Sequence, residues 1–242
     1  MRGANQILTV LMLFALPIIF ISCKNNKEKD LEKEATTEEV VKKTVEPVVL
    51  FENAYAKVSK ISLQPGESQP AHDGESRLIY ALTDYTINWH EVGNTSSLKT
   101  WKKGEVHFHE PGMHTAENNG NTVAEWLVFS KKNTELPDCG ENTVENDVTS
   151  VSSDLTETLF ENDRFKLTQV TLPSGKKIRT HSGINRIIYS LSDYELKYES
   201  NVEGTMDKSF KSGDIHWYEA CKHALENKGT TEAKFLVVSY KG

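Results

Sequence analysis

"LFENAYAKVSKISLQPG", residues 50–66, returns 109 residues later as "LFENDRFKLTQVTLPSG", residues 159–175. The same offset carries "RLIYALTDYTI" (77–87) onto "RIIYSLSDYEL" (186–196) and "AEWLVFS" (124–130) onto "AKFLVVS" (233–239), without a gap. Roughly a third of the paired residues between Leu50 and Ser130 are identical, more than two unrelated strand-rich segments share. The chain is therefore two copies of one unit. Within each copy the apolar runs are short, β-branched or aromatic, and alternating, with turn residues between them about every ten positions. This pattern predicts an all-β protein of two tandem antiparallel jelly-roll barrels.

Outward from the repeat, the boundaries follow composition. Residues 47–132 form the first domain and 158–242 the second. Residues 133–157 form a polar linker with Pro137 and Gly140. Residues 24–46 are dense in Lys and Glu, and too poor in large apolar groups to offset their ordering entropy, so they read as a solvated tether. Residues 1–23 have a basic start, an apolar run from Ile7 to Ile21, and Ser22 before Cys23, the order of a secretory signal. A Cys at that point, followed by polar residues, resembles the lipobox of bacterial lipoproteins. That resemblance implies a lipidated Cys23 and a cell-envelope protein anchored to a membrane, facing the periplasm or the cell surface. Cys139 and Cys221 then remain, either as a disulfide or as two unpaired thiols.

The net charge is −7, with no basic stripe in the repeats, which argues against nucleic acid as a partner. A small polar or anionic ligand fits better. "PGESQPAHDGESRLIYALTD" (65–84) followed by "GEVHFHEPGMHTAEN" (104–118) resembles the two sequence motifs of the cupins, and both copies carry them, as in a bicupin. The second motif runs through Gly104, Pro111, Gly112, His114 and Asn118. The second copy keeps Gly213, His223 and Asn227 but has Ala220 and Cys221 for Pro-Gly. In the first motif a single His stands where two are usual, His72 or His181, and Arg77 or Arg186 stands at the Glu position.

The resemblance implies a divalent metal (Fe, Mn, Ni or Zn) with His72, His107, His109 and His114 as candidate ligands, and His181, His216 and His223 in the copy. Period-two alternation puts His107 and His109 on one strand face and Val106 and Phe108 on the other. If the apolar face fills the barrel, His107 turns away from His114. Arg77 and Arg186 lie in apolar strand contexts and need a carboxylate or an anionic ligand. A salt bridge to Glu110 or Glu117, and to Glu219 or Glu226 in the copy, is the expected arrangement. Capture of a small anion, with Tyr80 and Tyr189 near the site, is the alternative. Asn118, Asn227 and the repeated "FEN" (51–53 and 160–162) read as turn and strand-end formers. These readings point to an exported, lipid-anchored binding or accessory protein. The competing reading is a metal-dependent cupin enzyme, of dioxygenase or isomerase type, built on the first-domain His cluster.

Overall fold

The computed structural model describes residues 43–242; the signal segment, Cys23 and most of the tether lie outside them. In the first barrel, one sheet has the order β1 (Val48–Glu52), β2 (Ala56–Leu63), β9 (Ala124–Lys131), β4 (Arg77–Ala81) and β7 (Val106–His109). Facing it is a sheet of β3 (Ser68–Gly74), β8 (Gly112–Asn118), β5 (Tyr85–Glu91) and β6 (Ser97–Trp101). The second barrel repeats this with β10 (Thr156–Glu161), β11 (Phe165–Leu172), β18 (Ala233–Tyr240), β13 (Arg186–Ser190) and β16 (Ile215–Tyr218). Its other sheet has β12 (Lys177–Gly183), β17 (Cys221–Asn227), β14 (Tyr194–Ser200) and β15 (Gly204–Phe210).

Even the irregularities repeat. Register shifts fall between Gln69 and His72 in the first barrel and between Ile178 and His181 in the second. Gly104 and Gly213 hold φ near +90° (89° and 93°), a conformation that disfavours a side chain, at the tight turns entering β7 and β16. Asn118 and Asn227 are buried turn formers: each Nδ2 donates to two carbonyls and each Oδ1 accepts a glycine N–H. Asn53 and Asn162, of the repeated Phe-Glu-Asn, each accept two backbone N–H groups at the entry to β2 and β11. The end of the tether is tied to the first barrel by Val45 N–H donating to Ser68 O at 2.8 Å and by the Lys43–Glu67 ion pair at 2.6 Å.

The two five-stranded sheets pack face to face. Leu78, Tyr80, Leu127 and Phe129 meet Phe165, Leu167, Ile187 and Leu236 in one continuous core. Phe108 stacks 5.9 Å from Phe160, and its repeat counterpart Trp217 stacks 5.6 Å from Tyr55. Both faces of β4 are therefore covered, and all five of its residues are buried.

The linker is more than a spacer. Val144–Asn146 and Ser153–Leu155 form single 3-10 turns around α1 (Val148–Val151), and this segment packs across the second barrel. Val148 is buried, with Val151 and Leu155 beside it, against the cluster of Ile178, Tyr194, Phe210 and Phe235. Asp147 caps α1 through Thr149 N–H at 2.9 Å and pairs with the buried Lys166 at 2.7 Å. Removing the carboxylate leaves a buried ammonium short of its nearest counter-charge and uncaps the turn. Asp147→Ala is expected to lower unfolding stability by about 2 kcal/mol, read from the urea midpoint; an unchanged midpoint would show that this segment only rests on the barrel.

Candidate functional site

The register shift after Gln69 is what aims His72. It places His72 opposite His114 across the β3–β8 pair, with ring centres 4.2 Å apart. His72 Nδ1–H donates to Pro70 O at 2.8 Å, which leaves Nε2 as the acceptor nitrogen. On the facing sheet, β4 pairs with β7 so that Arg77 lies opposite His109 and Ile79 opposite His107.

The orientation of β7 is the reverse of the sequence expectation. Val106 and Phe108 pack against the core between the barrels, so His107 and His109 face their own barrel interior. The apolar face had a second core available and took it. His216 is placed the same way, 5.1 Å from Phe210 and 6.4 Å from Tyr218. Yet the four imidazoles of the first barrel do not converge. Trp89 contacts His114 at 4.4 Å and His109 at 4.5 Å, and Trp101 stacks on His107 at 3.7 Å. The result is a line of rings in which His72 meets His114, His107 meets His109, and Trp89 separates the pairs.

Arg77 lies at the centre, 4% exposed. Its Nη1 donates to the carbonyls of Glu75 at 2.9 Å and Glu110 at 3.3 Å, and Nη2 lies 3.1 and 3.2 Å from the two nitrogens of His114. The expected salt bridge is absent: among the described residues no carboxylate lies within ion-pair distance of Arg77 or Arg186. Glu110 instead pairs at 2.8 Å with Arg164 of the second barrel, which also reaches Ser76. Glu219 offers Arg186 only its backbone carbonyl, at 3.1 Å, and Glu226 pairs with Lys177 and Lys228. Glu117 and Glu226 lie on the strand faces opposite to His114 and His223.

Tyr80 and Tyr189 lie on the strand face opposite the arginines, as their odd spacing requires, and pack rather than bind. Three residues after each arginine, they point into the core between the barrels and line neither cavity. The sequence reading missed the residues that replace them in importance, Gly74 and Gly183. A Cβ on either would collide with the guanidinium of Arg77 or Arg186. The signal was present as His-x-Gly-x-x-Arg, at 72–77 and again at 181–186.

The second barrel repeats the cradle around a smaller space. Arg186 is 2% exposed and donates to Ile184 O at 3.0 Å, with Cys221 Sγ at 3.3 Å and His223 Nδ1 at 3.4 Å. His181 sits 4.2 Å from His223. Cys221, buried, and Cys139, half-buried, are both free thiols rather than a disulfide. The cavity here is about 50 Å³, whereas the first barrel has connected lining residues around spaces of about 240, 200 and 490 Å³.

No protein-family profile and no curated protein matches the chain. Solved structures do. An oxalate decarboxylase variant from Bacillus subtilis superposes with a TM-score of 0.57 at 11% identity, over 77% of this chain and 69% of that one. AerE from Microcystis aeruginosa gives 0.56 at 14% identity, over 81% of this chain and 97% of that one. The fold is a tandem cupin fold. At these identities the likeness extends to the fold alone. Another Bacillus subtilis oxalate decarboxylase structure, with a TM-score of 0.55 at 12% identity over 77% of this chain and 69% of that one, is described by its Mn(II) centres.

The donors of this chain do not fit such an ion. Among the described residues no group of three or more His, Cys, Asp or Glu is arranged to hold a metal. The guanidinium of Arg77 lies against the nitrogens of His114, where a metal would need them, and Trp89 keeps the second His pair away.

Burial makes the imidazoles hard to charge. It pushes His107 down to about 3, with His109 and Arg77 adding to the effect, and His109 down to about 4, with Arg77 the next cause. His114 falls to about 3, through burial and then Arg77, while Arg77 itself drops only to about 10 and stays cationic. Burial likewise lowers His181, and lowers His223 well below the usual range with help from Arg186. Between the ordinary histidine value of about 6.5 and these depressed values, the unfolded chain binds more protons than the folded one, so stability falls as pH drops through that window. The urea midpoint is expected to be lower at pH 5 than at pH 7, and His107→Phe to flatten the difference. Equal midpoints at both pH values in the unmodified protein would contradict the buried, neutral histidines.

Proposed function

We propose that this is an exported, lipid-anchored binding protein of the cell envelope whose first barrel holds a small carboxylate or phosphate on Arg77. The observation that carries the reading is a buried guanidinium facing a cavity with no carboxylate partner. Burying a cation costs several kcal/mol unless an opposite charge accompanies it. Among the described residues Arg77 is given three neutral acceptors for five N–H donors and no carboxylate within ion-pair distance, Glu91 acting on it only across the cavity. A carboxylate or phosphate provides both charge and acceptors in the geometry that arginine favours. Gly74 supports the reading because it keeps the guanidinium's place clear.

Export and anchoring are supported by the order of charge and apolarity in residues 1–22 and by Cys23 after them. The rival reading, a metal-dependent enzyme of dioxygenase or isomerase type, draws on the four inward imidazoles of the first barrel. It requires Arg77 and Trp89 to leave their present places before three donors can converge.

Calorimetric titration of the soluble form with acetate and with phosphate is expected to show saturable binding of at least one of them. Arg77→Met should weaken it at least about tenfold, the scale of a lost charge-assisted pair, and Gly74→Ala should weaken it measurably. Anion affinity that is indifferent to both changes would refute the site. In the organism of origin, Cys23→Ala is expected to move the protein from the membrane to the soluble envelope fraction and to remove the lipid mass from its N-terminus. Retention in the membrane would refute the anchor.

A further inference from the structure

The cavity of about 200 Å³ beside Arg77 has a second charge in its wall. Glu91, at the end of β5, lines it together with Arg77, Trp89, Asn94 and His114. The Glu91 carboxylate is held by neutral donors, Trp89 Nε1 at 3.2 Å and Asn94 Nδ2 at 3.1 Å. Among the described residues no cation lies within ion-pair distance of it, and it does not pair with Arg77. Two opposite charges thus face one small space, Arg77 buried and Glu91 exposed at its rim, attracting one another across it without forming an ion pair.

The second barrel shows what the first leaves open. There Ser200 stands at the position of Glu91 and Tyr198 at that of Trp89. Lys208 lays its ammonium over the Tyr198 and Tyr218 rings, at 4.2 and 4.8 Å, so the chain's own cation fills the aromatic end of the barrel. The repeat counterpart of Lys208 is Lys99, which is exposed on β6. In the first barrel the corresponding end has the Glu91 carboxylate and the Trp89 indole, with Lys99 in the wall of the adjoining space.

We propose that the first barrel selects a small zwitterion, an amino acid, with its carboxylate on Arg77 and its ammonium against Glu91 beside Trp89. This rests on the anion site proposed above and adds the amine as the group that decides specificity. The two claims fail separately.

The test is calorimetry with matched pairs that differ only in the amine: alanine against propionate, aspartate against succinate, phenylalanine against 3-phenylpropionate. At least one amino acid is expected to bind ten-fold or more tighter than its deaminated partner. Glu91→Gln, which keeps an acceptor for Trp89 and removes only the charge, should abolish that preference, and by taking a like charge out of the cavity it should strengthen rather than weaken binding of the deaminated acid. Arg77→Met should remove both. Equal affinities within every pair, or a preference that survives Glu91→Gln, would overturn the zwitterion and leave the anion site standing. No binding of any acid would overturn both.

Discussion

The burial of one sheet face of each barrel against the other is the constraint on which the remaining structure depends. Because Leu78, Tyr80, Val106 and Phe108 satisfy their apolar surface in the shared core, the alternate residues of the same strands must point inward. Those residues are Arg77, Ile79, His107 and His109. A lone barrel would have needed its apolar strand face for its own interior. Pairing frees that interior for polar groups, and the site is a consequence of the dimer-like packing of the repeats.

The second barrel also contributes to the first barrel's chemistry more directly. Arg164 takes the carboxylate of Glu110, one of the partners expected for Arg77, and reaches the side chain of Ser76, the residue before Arg77. The repeat counterpart of Arg164 is Tyr55, which stacks on Trp217 instead. One arginine thus satisfies a carboxylate at the surface, and another is left buried with only carbonyls and a neutral imidazole. The copies diverge further inside: Tyr198, Phe210, Tyr218 and the linker valines fill the second barrel, while Trp89, Trp101 and the exposed Lys99 leave room in the first.

The fold was legible because a fixed offset and period-two alternation are local properties of the chain. Which face of β7 lies inside was not, since alternation separates two faces without saying which core each will find. The salt bridge expected for Arg77 failed for a related reason: the competitor for Glu110 lies 54 residues away in the other repeat. Two features were present in the sequence and went unread. His-x-Gly-x-x-Arg occurs in both copies, and only the structure shows that its glycine exists to clear the guanidinium. Val144, Val148, Val151 and Leu155 recur at helical spacing within the linker, the stripe that covers the second barrel.

Arg77 is a buried cation without an ion-pair partner among the described residues, and its proposed role is to hold an external anion. Anomalous diffraction from crystals of the soluble form grown in bromide tests it most directly, because bromide marks an anion site without presupposing the ligand. A bromide peak is expected within hydrogen-bonding distance of the Arg77 guanidinium, and none in Arg77→Met crystals. A first barrel without bromide, in which Glu91 or Glu110 has turned to pair with Arg77, would contradict it.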